Sequence, residues 1–372
     1  MRKIKIIGLK KVEILIIDGT NCEGIKICIP SSSSFSILPV REIPLIFHYS
    51  FFFRFIVRLI NFNKIKDAFF FALIDYLNPK VLITHIDNSN AMSKLHKEFP
   101  NKLAISVQNS LRTGSKYPEA FVYPAPVSVF YGYGDYLNSI FIRNNIYNLE
   151  YVSAGSLTYD LYKKTDYGSI ENKYDFCFIS SFVDVNTPQM NILMDSNTRI
   201  LESLVKICKE FGFSLSIAMR YEISSEHYID ELNFINKIDT HGIAEIIPNN
   251  LSIHLGYQTA EKSNILVTTH STLGVEFFGA GKKVLFGASA DNFALAHNWD
   301  SYGNFNKLPS MNLLDYLTVE SILPKLNFLI SIGSDEYIKK TKNARQHYMN
   351  YTNAKTASEL IKDRISKFLL NQ

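Results

Sequence analysis

Cysteine is scarce in this chain. Four occur in 372 residues, Cys22, Cys28, Cys177 and Cys208. They form neither a CxxC pair nor a ligand-spaced cluster and lie in or beside apolar runs, which argues against a disulfide framework or a zinc site and predicts buried thiols in a reducing compartment. Charge of one sign is also lacking. Lys and Arg number 39 against 35 Asp and Glu, and a formal charge of +4 spread over so long a chain gives no electrostatic case for a nucleic-acid partner. Bilayer-length apolar runs are missing as well: the most apolar stretch, 44–60, carries His48, Arg54 and Arg58 within one helical length. At the N-terminus Lys10 and Lys11 interrupt the apolar residues that follow Arg2, Lys3 and Lys5 before they reach secretory length. A cytoplasmic protein is expected.

Several motifs are absent. No GxGxxG follows a strand, and the GYG at Gly132–Gly134 lacks the third glycine of a dinucleotide site. Gly279-Ala280-Gly281-Lys282-Lys283 follows a helix and precedes a strand, the reverse of P-loop order. With neither HExxH nor Asp-x-Asp, neither a zincin nor a metal-diphosphate clamp is indicated, and no metal or cofactor is expected.

What is present is a soluble α/β pattern. The chain is 47% hydrophobic and 20% charged, and it exceeds the roughly 250–300 residues at which one core stops growing, so two domains with a cleft between them are expected. Short apolar runs at 12–18 (VEILIID), 81–86 (VLITHI) and 103–107 (LAISV) read as buried strands, with a helix over 89–99. A second series follows: strands at 174–179, 215–219, 265–269 and 283–286, helices at 200–211 and 272–279. Alternation of this kind means parallel sheets covered by helices, with ligands beyond the strands' carboxyl ends. The polar stretch 159–173 suggests a boundary, giving an N-terminal domain over 1–160, a C-terminal one over 161–334, and a Lys/Arg-rich helical tail over 335–372 that packs outside or crosses back to the first domain.

Residues 265–286, ILVTTHSTLGVEFFGAGKKVLF, are the most informative. A strand ends at Thr268-Thr269-His270, and Ser271-Thr272 open a helix that either hydroxyl can cap. Its free amides and positive dipole end suit a phosphate. Glu276 lies one turn on, on the face of Thr272, where a carboxylate can accept two ribose hydroxyls; an ordinary capped helix with an early acid fits the same residues.

The run from Ser271 to Val284 resembles the nucleotide-binding segment of GT-B-type glycosyltransferases that build bacterial O-antigen and capsule. Thr84–Asn88 (THIDN), Ser106–Asn109 (SVQN), Ala154–Leu157 (AGSL) and Tyr174–Ser180 (YDFCFIS) resemble the same family in the same order, so the likeness covers roughly 70–290. It implies two Rossmann-like domains facing each other across a cleft, the acceptor held mainly by the first and the sugar nucleotide by the second. Related transferases of CMP-activated acids such as Kdo or nonulosonates place a Ser/Thr pair and a nearby His around the donor phosphate, which His270, Ser271 and Thr272 would supply. The His-Pro pair of several such enzymes is missing here, so CMP is a preference over UDP or GDP.

Transfer requires a base for the acceptor hydroxyl. Asp87, at a strand's carboxyl end beside Asn88, is the first candidate and Asp18 the reserve; in a retaining enzyme the same carboxylate would be the nucleophile. A strand-end Asx turn or helix cap is the structural alternative for both, strengthened at Asp18 by Gly19. Gln108 and Asn109 would bind acceptor hydroxyls. Arg220 would neutralise donor phosphate, or else pair with Glu222 or Glu226. Ser180 and Ser181 would contact phosphate or base, or form a plain polar loop. His85, inside a strand, reads as a core histidine. The segment 45–77, dense in Phe, Ile and Leu with Arg54, Arg58, Lys64 and Lys66 interspersed, suits either two helices packed on the sheet or a peripheral contact with the cytoplasmic face of the inner membrane. The partners expected are a nucleotide-sugar donor and an oligosaccharide or lipid-linked acceptor. A sugar-nucleotide 2-epimerase, or a non-catalytic nucleotide-binding subunit, would share the architecture.

Overall fold

The computed structural model describes residues 4–6, 11–19, 22–38, 43–45, 49–61, 64–87, 90–111, 127–143, 150–168, 171–184, 188–269, 271–287 and 307–372. Asn88 and His270 lie outside the described residues.

Two parallel sheets organise the chain, as the alternation predicts. The N-terminal half begins with β1 (Ile4–Ile6), β2 (Ile14–Ile17), α1 (Glu23–Lys26), β3 (Phe35–Leu38) and β4 (Ile43–Leu45); β1 and β4 pair separately. Next come α2 (Tyr49–Asn61), α3 (Ile65–Leu77), β5 (Val81–Thr84), α4 (Asn90–Glu98), β6 (Leu103–Val107), β7 (Val129–Gly132), α5 (Asp135–Arg143), β8 (Glu150–Ser153) and α6 (Leu157–Lys164). The six-stranded sheet has the order β3-β2-β5-β6-β7-β8. Every residue of β2, β5, β6 and β7 is buried, because a parallel strand is covered on both faces and so reads as a continuous apolar run.

The second half contains β9 (Tyr174–Ile179), α7 (Pro188–Phe211), β10 (Leu215–Glu222), α8 (Tyr228–Ile238), β11 (Ala244–Asn249), α9 (Leu255–Glu261), β12 (Ser263–Thr268), α10 (Thr272–Gly279) and β13 (Lys283–Phe286), in the parallel order β11-β10-β9-β12-β13. Among the described residues three α-helices follow: α11 (Val319–Ser331), α12 (Ser334–Tyr348) and α13 (Ala357–Leu370). The tail crosses back. Ala357, Ile361 and Ile365 of α13 are buried in one cluster with Ile14, Ile16, Val81 and Ile83 of the first sheet. All four cysteines are buried free thiols, as expected.

Each sheet has a topological switch point. The chain leaves β2 for β3 on one side and returns to β5 on the other; likewise β10 and β11 lie to one side of β9, and β12 and β13 to the other. Crevices form outside the carboxyl ends of strands that diverge in this way. The first crevice is flanked by Asp18 after β2 and Asp87 after β5. The second is flanked by Ser180-Ser181 after β9 and by Thr269, Ser271 and Thr272 after β12.

Candidate functional site

The first crevice differs in detail from its sequence reading. Asp87 is only 2% exposed, so it is not the open strand-end acid that its position suggests. Asp18 is half-buried and adopts φ 68°, the left-handed conformation that Asp tolerates in turns, while its N–H donates to Leu38 O at 3.0 Å. Thr84 Oγ1 donates to Ile17 O at 2.8 Å, locking the ends of β5 and β2 together. Gln108 ties β6 to β7: its Oε1 accepts from Tyr133 N and its Nε2 donates to Ser110 O, both at 2.9 Å. With both ends of its amide engaged, Gln108 braces the crevice wall, whereas Asn109 beside it is half-buried.

At the second crevice Ser271 occupies the N-cap position of α10 with φ −63° and ψ 137°, yet its hydroxyl makes no capping bond, which corrects the expected side-chain cap. Its N–H donates to Thr268 Oγ1 at 3.4 Å, and Ser271 and Thr272 are both half-buried. Amides of a helix's first turn have no intrahelical acceptor, so an uncapped tip beyond a sheet's carboxyl edge is suited to an anion. Ser180 Oγ accepts from Phe182 N at 3.2 Å. Ser181 Oγ, buried across the switch point, has no hydrogen-bond partner among the described residues. A buried hydroxyl left in that condition costs about 1–3 kcal/mol, and a bound ligand would remove the cost.

Arg220 does not pair with Glu222 or Glu226 as its surface alternative supposes. Its Nη1 donates to Phe182 O at 2.9 Å, holding an exposed guanidinium against the loop that follows β9. Glu222 instead accepts from Leu251 N at 2.7 Å, and Glu226 stands beside His227. Glu231, not singled out in the sequence, is fully buried and accepts from the N–H of Arg220 at 2.9 and 3.1 Å and of Tyr221 at 3.0 Å. Burial raises its pKa and those amides oppose the rise.

Glu276 occupies the junction of the two halves. It is 1% exposed; Oε2 accepts from Tyr257 OH at 2.6 Å and Oε1 accepts from Ser156 Oγ. Burial lifts its pKa to about 7, against the opposing effect of the two hydroxyls. Ser156 N-caps α6, accepting from Tyr159 N at 3.3 Å. Gly155 before it has φ +82°, and a Cβ there would fall 2.4 Å from Tyr351 Cε1, so glycine is required by both conformation and space. Asn350 N donates to Tyr133 O at 2.7 Å. Through these contacts the carboxyl edge of the first sheet meets α10 and the returning tail. Ser156, Tyr257 and Tyr351 carry no motif of their own; only the AGSL block touched the first of them.

Among the described residues one group could supply metal ligands: Asp184, His227 and Asp230, with ligand atoms within 4.8 Å of one another. Both aspartates are exposed and Asp184 pairs with His227 Nδ1 at 3.4 Å, an arrangement a surface ion pair explains.

No protein-family model and no curated protein matches the sequence. Solved structures do match, across nearly the whole chain. Staphylococcus aureus MnaA in complex with UDP is 15% identical with a TM-score of 0.59, over 98% of this chain and 97% of that one. UDP-GlcNAc 2-epimerase from Methanocaldococcus jannaschii, in complex with UDP-GlcNAc and UDP, is 11% identical with a TM-score of 0.55, over 96% and 99%. A glycosyltransferase from Rickettsia africae is 13% identical with a TM-score of 0.51, over 97% and 100%. This chain therefore has the GT-B-like fold, two Rossmann-like parallel-sheet domains, shared by those three proteins.

Proposed function

We propose that the chain is a metal-independent glycosyltransferase that moves a sugar from a nucleotide-activated donor to a surface-polysaccharide acceptor. The observation that carries this reading is the placement of polar candidates at the switch points of both sheets: Asp18 and Asp87 at one, Ser181, Ser271 and Thr272 at the other. The uncapped tip of α10 would hold the donor phosphate, with Ser181 and Arg220 as further donors and His270 beside it in sequence. As the acceptor oxygen bonds to the anomeric carbon, the bond from that carbon to phosphate oxygen breaks and Asp87 takes the hydroxyl proton, with Asp18 in reserve. Asn109, half-buried, would bind acceptor hydroxyls, with Asn88 beside Asp87 in sequence, while Gln108 braces β6 against β7.

Glu276 reaches a ribose by exchange. Two hydroxyls, from Ser156 and Tyr257, already donate to its oxygens, and a ribose diol offers two donors of the same kind. A CMP-linked acidic sugar is the preferred donor, with a UDP or GDP sugar as the alternative; the UDP bound to MnaA supports a uridine donor equally. The acceptor would be an oligosaccharide or a lipid-linked glycan, handled at the cytoplasmic face of the inner membrane.

End-to-end similarity to a 2-epimerase favours a second reading, in which free sugar nucleotide is isomerised without any acceptor. Product analysis separates the two. A transferase releases nucleotide in step with a new glycoside; an epimerase returns an isomeric sugar nucleotide. Nucleotide binding with neither product would reduce the chain to a binding subunit. For transfer, Asp87→Ala is expected to lower turnover by about 10²–10⁴ while leaving nucleotide affinity within a few fold; unchanged turnover removes Asp87 from the chemistry.

A further inference from the structure

We propose that α2 is a docking face for a lipid bilayer surface bearing anionic headgroups. The helix is mounted with its hydrocarbon outward. Phe52, Phe53, Ile56 and Ile60 are 62%, 69%, 46% and 80% exposed, and at 100° per residue they share one face. Leu59 borders that face, and Ile65 at the start of α3 is a further exposed apolar side chain at 70%.

The opposite side of α2 explains why the apolar face cannot turn inward. Arg58 Nε donates to Asp75 at 2.7 Å and its Nη1 to Glu98, with the guanidinium 5.3 Å from the ring centre of Phe99. Phe51, 3% exposed, packs edge-on against Phe69 at 5.2 Å, and Phe55 does so at 5.7 Å. A charged anchor and two aromatic ones fix α2 to α3 and α4. Rotating the helix to bury Ile60 would break all three.

Two observations select a lipid surface as occupant. Lys64 and Lys66 flank the exposed Ile65 in sequence, and with Arg54 of α2 they are exposed and make no ion pair among the described residues. Asp67, which follows Lys66, is paired with Lys94 at 2.8 Å, so this part of the chain presents exposed hydrocarbon together with cations that no neighbouring acid neutralises, the chemistry that anionic headgroups complement. The apolar face is also small. It measures roughly 20 Å by 10 Å, well below the ~800 Å² that each partner contributes to a standard protein interface. No described helix is long and apolar enough to cross a membrane, so α2 would lie in the interfacial plane. This inference stands on the helix itself and holds whether the chain transfers or isomerises sugars.

Sedimentation of the whole protein with vesicles tests it. With phosphatidylethanolamine vesicles containing phosphatidylglycerol, the protein should pellet, less so in high salt and much less with phosphatidylcholine alone. Phe53→Asp combined with Ile60→Asp should lower partitioning at least about ten-fold at an unchanged melting temperature. Should the pair perturb the fold, Ile60→Asp by itself, at the most exposed position, should still weaken binding. Arg54→Glu, Lys64→Glu and Lys66→Glu together should abolish the preference for anionic vesicles. Wild-type protein that stays in the supernatant with both vesicle types overturns the proposal, and so does pelleting that the aspartates leave unchanged. A dimer in analytical ultracentrifugation that the same aspartates dissolve, without vesicle binding, assigns the face to a second copy of the chain instead.

Discussion

Glu231 and Glu276 make an instructive pair. Each lies in a helix that follows a strand of the second sheet, each is essentially inaccessible, and burial raises the pKa of both. Their partners differ. Glu231 is held by the backbone amides of Arg220 and Tyr221, whose positions are set by β10 itself, with the Ser180 hydroxyl as a further partner. Glu276 is held by two side-chain hydroxyls, one after β8 and one on α9. Amides in a strand cannot be traded for a ligand without undoing the strand, whereas hydroxyls can rotate away. Equal burial therefore conceals two kinds of partner, and the proposed exchange with a ribose is open only to Glu276.

The contrast is broken most severely at Glu231. Glu231→Ala strands backbone amides at the end of β10 and should cost about 3 kcal/mol or more in urea unfolding; a loss within about 0.5 kcal/mol would show that those amides do not need the carboxylate. At Glu276 the effect depends on pH. A carboxyl raised from 4.5 to about 7 on folding binds more protons in the native than in the unfolded state between those values. Its contribution is therefore fully present at low pH and is lost as pH rises through that window, by roughly 3 kcal/mol in all. Glu276→Gln should flatten that part of the stability profile, and a profile identical to wild type would place the titration elsewhere. The smallest effect is at Tyr257. Removing its hydroxyl in Tyr257→Phe should cost about 1 kcal/mol of stability and tighten nucleotide binding a few fold, because one of the two competing donors is gone. Weaker binding would mean that Tyr257 helps to hold the ligand.

Much of the architecture is legible in the sequence because parallel strands advertise themselves. The runs at 174–179 and 283–286 match β9 and β13 to the residue, and 272–279 matches α10. β11 is not legible: AEIIPN carries a proline and a charge and is nowhere fully buried, as an edge strand permits. α6 is obscured within polar sequence because the side chains it buries include Tyr159, Asp160 and Tyr162. At the site, sequence locates the strand ends but not what fills them. Nothing in Gln108 foretells that both ends of its amide are engaged, and nothing in Glu276 announces Tyr257 on α9 or Ser156 more than a hundred residues away. Nor does composition say which way an amphipathic helix faces. Adjacent α2 and α3 are both rich in Phe and Ile, yet α3 buries Phe71, Ala72, Leu73 and Ile74 while α2 turns Phe52 and Phe53 outward; the difference lies in Arg58 and its two carboxylates.

Calorimetric titration with UDP, CMP, GDP and CDP, at about pH 8 where Glu276 is mostly ionised, tests the nucleotide site most directly. At least one nucleotide should bind the wild type, more weakly as pH falls below about 7, and Glu276→Gln should lose about 1–3 kcal/mol of that binding. No heat from any of the four, or equal affinity in the two proteins at every pH, would contradict a nucleotide held at the tip of α10 by the carboxylate beneath it.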